Sequence, residues 1–209
     1  MSAPDVGLRR RRVVADVSRL PTVVFGNREI VWWGTLGFVV IEGFTLAIVA
    51  AAYVYLRKNF IAWPPQGAMR PDLLIPTIQV VAMAASIPAM VWLQRVAKRL
   101  DAGAVTIGLA IGLAFALLFC WLRWYEFRAL NVRWDTDAYG SAAWAILAFH
   151  ATLLVLEAYE IGGLLLIYLA GRAEPKHFSD VNDAAFYWHY MIGYWFVLYL
   201  LVFWSPRFM

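Results

Sequence analysis

Long apolar stretches separated by short polar segments dominate the chain. A helix needs about 20 apolar residues to cross the hydrocarbon core of a bilayer. Five windows meet that length, at roughly 31–56, 73–94, 103–122, 138–170 and 184–204. Only Glu42, Glu157 and Glu160 place an acidic or basic group inside them. The pattern predicts an all-α fold, a polytopic membrane bundle of five transmembrane helices over residues 31–206.

The composition supports a membrane protein and adds little chemistry. Hydrophobic residues make up 63% of the chain and charged residues 15%, against about 45–50% and 25% in soluble domains. The net charge of +4 is better explained by membrane topology and lipid headgroups than by nucleic acid. The single cysteine, Cys120, excludes an internal disulfide, and no Cys/His cluster predicts a metal site.

The distribution of basic residues predicts the orientation. With a cytoplasmic N-terminus, eleven of the 18 Lys and Arg residues fall on the inner side and seven on the outer side. Because inner loops carry the excess of positive charge, we expect the N-terminus inside and the C-terminus outside. Residues 1–30, with a basic block at 9–12, are then a cytoplasmic N-terminal arm.

Glu42 stands near the middle of the first predicted helix, between Ile41 and Gly43. An ionised carboxylate facing lipid tails there costs several kcal/mol (about 2.5–3.5). One interpretation is a neutral carboxyl group bonded to a neighbouring helix. The other is a site for protons or for polar lipid headgroups.

A polar stripe crosses the fourth predicted helix. Glu157 and Glu160 are three residues apart and share a face, and His150 lies on much the same face, about 10 Å along the axis. Two neighbouring carboxyl groups cannot both ionise cheaply. The stripe is either a buried polar seam between helices or a proton or ligand site.

His150 and His189 could in principle be axial ligands of a haem. Counted from the midpoints of their windows, however, they differ in depth by roughly 15 Å. Only three histidines occur in the chain, so we expect no haem or copper set here. We expect both residues to act as hydrogen-bonding groups in helix packing. No motif predicts a catalytic centre.

Five sequence blocks, in order, resemble those of subunit III of the haem–copper respiratory oxidases. Each block lies on the expected helix or loop: WWGTLGFVVIEGFTLAIVAAAYVYLRKN with Glu42, WPPQG, LRWYEFRAL with Glu126, YGSAAWAILAFHATLLV with His150, and AAFYWHYMIGYWFVLYLLVFW with Trp188 and His189. The resemblance covers about residues 25–206 and fits the five-helix bacterial form of the family.

The chain also departs from the family pattern. Leu153 replaces a histidine, Ile192 an aspartate and Arg123 a glutamine. Glu157 and Glu160 stand where the family is usually apolar. The chain therefore resembles a divergent member.

The resemblance implies a subunit without a catalytic centre, haem or copper of its own. Such a subunit packs on the catalytic subunit I, which carries haem and copper, beside subunit II in the bacterial cytoplasmic membrane. It holds phospholipids in a cleft, and it supports proton uptake and turnover stability. Lipid- or proton-related roles are then expected for Glu42, Glu126, His150, Glu157, Glu160, Trp188 and His189, and headgroup contacts for Arg95, Lys98 and Arg99.

Other functions stay open at this stage. The parent enzyme could use cytochrome c or quinol as its electron donor, and a nitric oxide reductase accessory protein belongs to the same family. The chain could also be an assembly factor of a respiratory complex, which differs from a subunit only in whether it stays bound to that complex. A small proton-coupled transporter would use the intramembrane acids as its pathway, but it predicts an internal repeat, and the sequence has none.

Overall fold

Residues 21–208, as described by a computed structural model, form five long helices and no strand. The helices are α1 (Ile30–Lys58), α2 (Leu74–Lys98), α3 (Ala102–Ala129), α4 (Ala138–Leu169) and α5 (Pro175–Tyr199), and short turns extend α5 to Arg207. All five are long and apolar enough to cross a membrane, which confirms the predicted all-α membrane fold. Residues 1–20, most of the predicted arm, lie outside the described residues.

Two helices extend well beyond their predicted windows. Helix α5 begins at Pro175 rather than near 184, because Pro175 opens the helix and Glu174 and His177 form a reciprocal capping box. Helix α3 continues to Ala129 rather than ending near 122. Hydropathy detects only the part of a helix that lies in hydrocarbon, so polar first and last turns escape it.

Helices α2, α3, α4 and α5 pack around one core, and α1 lies at the side against α4 and α5. The core centres on large side chains such as Phe119, Trp188 and Trp195, all fully buried. In contrast, α1 buries only Leu46 and Tyr53. Helix α1 therefore presents most of its surface to whatever surrounds the bundle.

Consecutive helices run in opposite directions. Helices α1, α3 and α5 begin, and α2 and α4 end, at one end of the bundle, which we call the N-terminal end. Arg28, Arg95, Lys98, Arg99, Arg172 and Lys176 lie in or beside the helix turns at this end. The predicted cytoplasmic position of this end stays a prediction.

Glycines in α3 and α4 allow close approaches. A Cβ atom at Gly108 would lie 2.7 Å from Leu93 Cδ1, and one at Gly112 would lie 2.9 Å from Met90 Cε. The small-residue face of α3 thus receives the side chains of α2, as expected of membrane helices. At Gly140 the obstacle is backbone, since a Cβ atom there would collide with the Arg133 carbonyl oxygen.

We expect Gly140→Ala to destabilise the protein by about 1–3 kcal/mol, because the methyl group has no space and the carbonyl must move. The measurement is thermal unfolding of the purified protein in mild detergent. Gly163→Ala is the matched control in the same helix, since a methyl group there would meet nothing within 4 Å. Equal melting temperatures for the two variants would contradict this packing.

Candidate functional site

Five of the predicted site residues lie in two polar clusters inside the apolar bundle. The first, the buried ion-pair cluster, joins α3, α4 and α5 and comprises Arg123, Glu126, His150 and Trp195. The second, the acidic cavity, lies where α1, α4 and α5 meet and comprises Glu42, Glu157, Glu160 and Tyr187. The single stripe predicted along α4 is thus divided, because His150 contributes to one cluster and the two glutamates to the other.

In the buried ion-pair cluster, Arg123 satisfies three partners at once. Its Nη1 lies 2.8 Å from Glu126 Oε2, and its Nη2 donates to His150 Nδ1 at 2.9 Å. Its guanidinium group also stacks on Trp195, 3.6 Å from the ring centroid. His150 Nε2 in turn donates to the Met191 carbonyl oxygen at 3.1 Å. The cluster therefore ties three helices together.

Sequence reasoning missed Arg123 as a site residue, because the predicted third window ends just before it. Arg123 and Glu126 are both buried, with side chains 3% and 0% exposed. Their spacing of three residues in LRWYEF is the signal that could have predicted the pair. A buried charge is tolerated only with an opposite charge and further hydrogen bonds, and the Glu126 carboxylate and His150 supply them.

The acidic cavity has a volume of about 350 Å³. Glu42, Glu157, Glu160 and Tyr187 line it, together with apolar residues of α1 and α4. Glu42 Oε2 accepts a hydrogen bond from Tyr187 Oη at 2.6 Å. Glu42, Glu157 and Tyr187 each lie twelve residues from the end of their helix that belongs to the N-terminal end of the bundle, a depth of about 18 Å.

Glu157 is the unusual member of the acidic cavity. It is 1% exposed, and neither of its carboxyl oxygens has a hydrogen-bond partner within residues 21–208. Glu160, one turn closer to the N-terminal end, is exposed on the side of the bundle. Because buried polar atoms are nearly always satisfied, the Glu157 carboxyl group requires a proton, water or a ligand.

The predicted depth difference between the two histidines is wrong. His150 bonds to the carbonyl group of Met191, only two residues from His189, so their depths differ by a few Å rather than about 15 Å. Their surroundings differ instead. Both His150 ring nitrogens are engaged by Arg123 and Met191, whereas His189 Nδ1 bonds to the Ala185 carbonyl group of its own helix.

The remaining predicted residues lie apart from both clusters. Trp188 is fully buried and donates from Nε1 to Ser86 Oγ at 2.9 Å, so it joins α5 to α2. Arg95, Lys98 and Arg99 lie at the end of α2 that belongs to the N-terminal end of the bundle. Such an arrangement suits contact with phosphate groups at a membrane surface.

Outside the membrane-spanning helices, three acids have shifted pKa values. Burial, followed by the nearby Asp183 and Asp180 carboxylates, raises the pKa of Glu29. A hydrogen bond from Arg133 lowers the pKa of Asp135, and a hydrogen bond from Lys176 lowers the pKa of Glu174. Asp180 and Asp183, in the first turns of α5, thus add to the effect of burial in favouring the protonated form of Glu29.

Within residues 21–208 no group of three or more His, Cys, Asp or Glu side chains could hold a metal ion. The two clusters offer hydrogen bonding, a buried charge pair and proton-binding groups. Neither arrangement provides an activated nucleophile or a set of convergent metal ligands.

We expect Arg123→Leu to destabilise the protein by about 3–5 kcal/mol, because it leaves the Glu126 carboxylate buried without its partner. Thermal unfolding in detergent measures the change. Arg133→Leu is the control, since it removes the exposed pair with Asp135 and should cost about 0–1 kcal/mol. A melting temperature for Arg123→Leu no lower than that of the control would show that the buried pair does not hold the helices.

The sequence was also compared with known proteins. Cytochrome c oxidase subunit 3 of Synechocystis sp. is 26% identical over 184 residues, which cover 85% of this chain and 77% of the relative. The protein of the same name from Thermostichus vulcanus is 26% identical over 181 residues, which cover 84% and 87%. That of Drosophila yakuba is 22% identical over 180 residues, which cover 82% and 68%.

A family profile described as cytochrome c oxidase subunit III matches residues 25–206. The matched range includes all five membrane-spanning helices and both polar clusters. The predicted resemblance is confirmed, and with it a non-catalytic subunit with a role in the respiratory chain, in complex with other oxidase subunits. The chain belongs to the cytochrome c oxidase subunit III family.

Proposed function

We propose that the chain is the non-catalytic subunit III of a haem–copper terminal oxidase in a bacterial cytoplasmic membrane. In this role it packs on the catalytic subunit I, beside subunit II, and stabilises the complex during turnover. The observation that carries the proposal is the family match over residues 25–206. Haem and copper belong to the catalytic subunit, and the donor is cytochrome c or quinol.

The surface of the bundle supports packing against lipid and a larger partner. Exposed apolar side chains run along α1, among them Phe38, Phe44 and Ile48. Others lie on α3, including Trp121 and Trp124. Such faces require either acyl chains or another membrane protein against them, which suits a subunit of a membrane complex.

Two features support phospholipid binding. The acidic cavity is open at the side of the bundle, next to the half-buried Glu42. At the N-terminal end, Arg95, Lys98 and Arg99 present three positive charges without an ion-pair partner among residues 21–208. In the proposed complex the phosphates of phospholipids contact these cations, and acyl chains cover the apolar faces.

Proton uptake by the complex is the second proposed role. The carboxyl groups of Glu42, Glu157 and Glu160 line one cavity at the side of the bundle. Groups of this kind bind and release protons, so they can raise the local supply of protons for a neighbouring subunit. The chain itself performs no redox step.

Affinity purification through this chain in mild detergent tests the proposed function. We expect a much larger hydrophobic subunit to co-purify, with the optical spectrum of haem. If the chain is instead recovered as a haem-free monomer that moves a substrate in liposomes, it is a transporter and not an oxidase subunit. A spectrum typical of a nitric oxide reductase would assign it to that enzyme.

Bound phospholipid can be tested by native mass spectrometry of the purified complex. We expect a variant with Arg95, Lys98 and Arg99 all changed to Gln to lose anionic phospholipid, since each cation contributes about 1 kcal/mol. Glu42→Gln tests the cavity separately, through lipid retention and oxidase lifetime. Arg133→Gln, at the opposite end, is the control, and unchanged lipid in all variants would contradict the lipid role.

A further inference from the structure

A line of acidic side chains leads from the acidic cavity to the N-terminal end of the bundle. Glu157, Glu160 and Glu42 line the same cavity together with Tyr187. Asp183 and Asp180 lie four and seven residues before Tyr187, on the same face of α5. Asp183 is buried, and its Oδ2 has no hydrogen-bond partner within residues 21–208. Ser179, next to Asp180, donates a hydrogen bond to Glu29. The same two aspartates act on Glu29, just before α1. We call this line the acidic column; its members are Glu29, Asp180, Asp183, Glu160, Glu157 and Glu42.

No ion pair neutralises the acidic column within residues 21–208. The ion pairs of that range are Arg123–Glu126, Arg133–Asp135 and Lys176–Glu174. Only Lys176 and His177, in the first turn of α5, attract a member of the column, and that member is Asp180 at its outer end. Adjacent carboxylates repel one another, so the inner members cannot all ionise in a medium of low polarity.

Glu157, like Glu42, lies at the end of the column farthest from the N-terminal end of the bundle, and its carboxyl group requires a proton or water. Both of its oxygens are buried, lack hydrogen-bond partners within the described part of the chain, and adjoin the cavity. The cavity volume of about 350 Å³ is enough for several waters, each of which occupies about 30 Å³ in the liquid. Protonated carboxyl groups and water together can satisfy these atoms.

The polar groups at the far side of the cavity form no continuation toward the opposite end among residues 21–208. Tyr187 donates to Glu42, and Tyr194 donates to the Gly43 carbonyl group at 2.5 Å. Beyond Tyr194 and His189 the space between α1 and α5 is lined by apolar residues, such as Val197 and Leu201. Within residues 21–208 the line of polar side chains therefore continues from the cavity toward the N-terminal end only.

Hydroxyl and amide groups also adjoin the column, besides Lys176 and His177. Ser179 donates to Glu29, Asn182 Nδ2 donates to Asp183 Oδ1 at 3.1 Å, and Tyr187 donates to Glu42. On α1, Glu42 is the one acid or base that lines the cavity.

We propose that the acidic column is a proton-exchange site, through which Glu157 and Glu42 take up and release protons from the aqueous phase at the N-terminal end alone. A proton from hydronium binds a carboxylate at Glu29 or Asp180 and leaves water behind. It passes by way of Asp183 and Glu160, each carboxyl group accepting on one oxygen and releasing from the other. The net result is one proton on Glu157 and one negative charge fewer in the column.

This site goes beyond subunit packing and depends on the proposed function only for the use of its protons. Its existence can be measured whether or not an oxidase core co-purifies. Failure of the column and failure of the oxidase proposal therefore give different results.

Infrared difference spectroscopy of the full-length protein, as purified with its partners, tests the site after exchange into D₂O. We expect a carbonyl-stretch band of a protonated carboxyl group that shifts on deuteration. Glu157→Gln should remove this band, because the amide is an isostere of the neutral acid. Glu157→Asp should move the band and keep it.

The rate at which the Glu157 carbonyl band shifts after rapid mixing with D₂O tests whether protons enter through the column. We expect Glu160→Gln and Asp183→Asn to slow the exchange of the Glu157 band at least about tenfold, corresponding to a barrier higher by about 1.4 kcal/mol. Glu174→Gln, an exposed acid at the same end, is the control and should leave the rate unchanged.

Two outcomes would overturn the proposal. A band that is absent in the wild type, or unaffected by Glu157→Gln, would show that Glu157 holds no exchangeable proton. Equal exchange rates in Glu160→Gln and the control would show that protons do not enter through the column. Because Glu160 is exposed, its variant should fold even if Asp183→Asn does not.

Discussion

A bilayer cannot hydrate a charge, and this constraint determines how every polar side chain inside the bundle is used. A buried ion must find an opposite charge, and a buried carboxyl group without one must hold a proton or meet water. Arg123 and Glu126 follow the first course, with His150 and Trp195 completing the cluster. Glu157 follows the second, beside the acidic cavity.

The two clusters have different roles: one stabilises helix packing, and the other contains groups that can bind protons. The buried ion-pair cluster joins α3, α4 and α5 through the Arg123–Glu126 ion pair and the hydrogen bonds of His150. In the acidic cavity, by contrast, Glu157 lacks a partner within residues 21–208, and α1 covers it from the side. A core of four closely packed helices thus supports a more open edge, where the acidic cavity is accessible to lipid, water or protons.

Much of the fold could be predicted from the sequence because the membrane imposes a simple rule on it. Apolar windows of sufficient length gave five helices, and they placed Glu42 and Glu157 inside the hydrocarbon. The extent of α5 could not be predicted in the same way, since its first turns carry Lys176, Asp180 and Asp183 and are stabilised by capping rather than by hydropathy.

The candidate site was less predictable, because it depends on which helices meet. Helical spacing groups His150 with Glu157, although their partners lie on different helices. The predicted depth difference between His150 and His189 was wrong because the midpoint of an apolar window does not determine how one helix is shifted along its neighbour.

The central claim is that this bundle is a scaffold of an oxidase whose internal polar groups serve packing and proton binding. A cryo-electron microscopy map of the complex purified through this chain tests it most directly. The account predicts a haem-bearing subunit packed against the bundle, Arg123 paired with Glu126, and no haem between the five helices. A bundle standing alone in the micelle, or a haem iron ligated by His150 or His189, would contradict it.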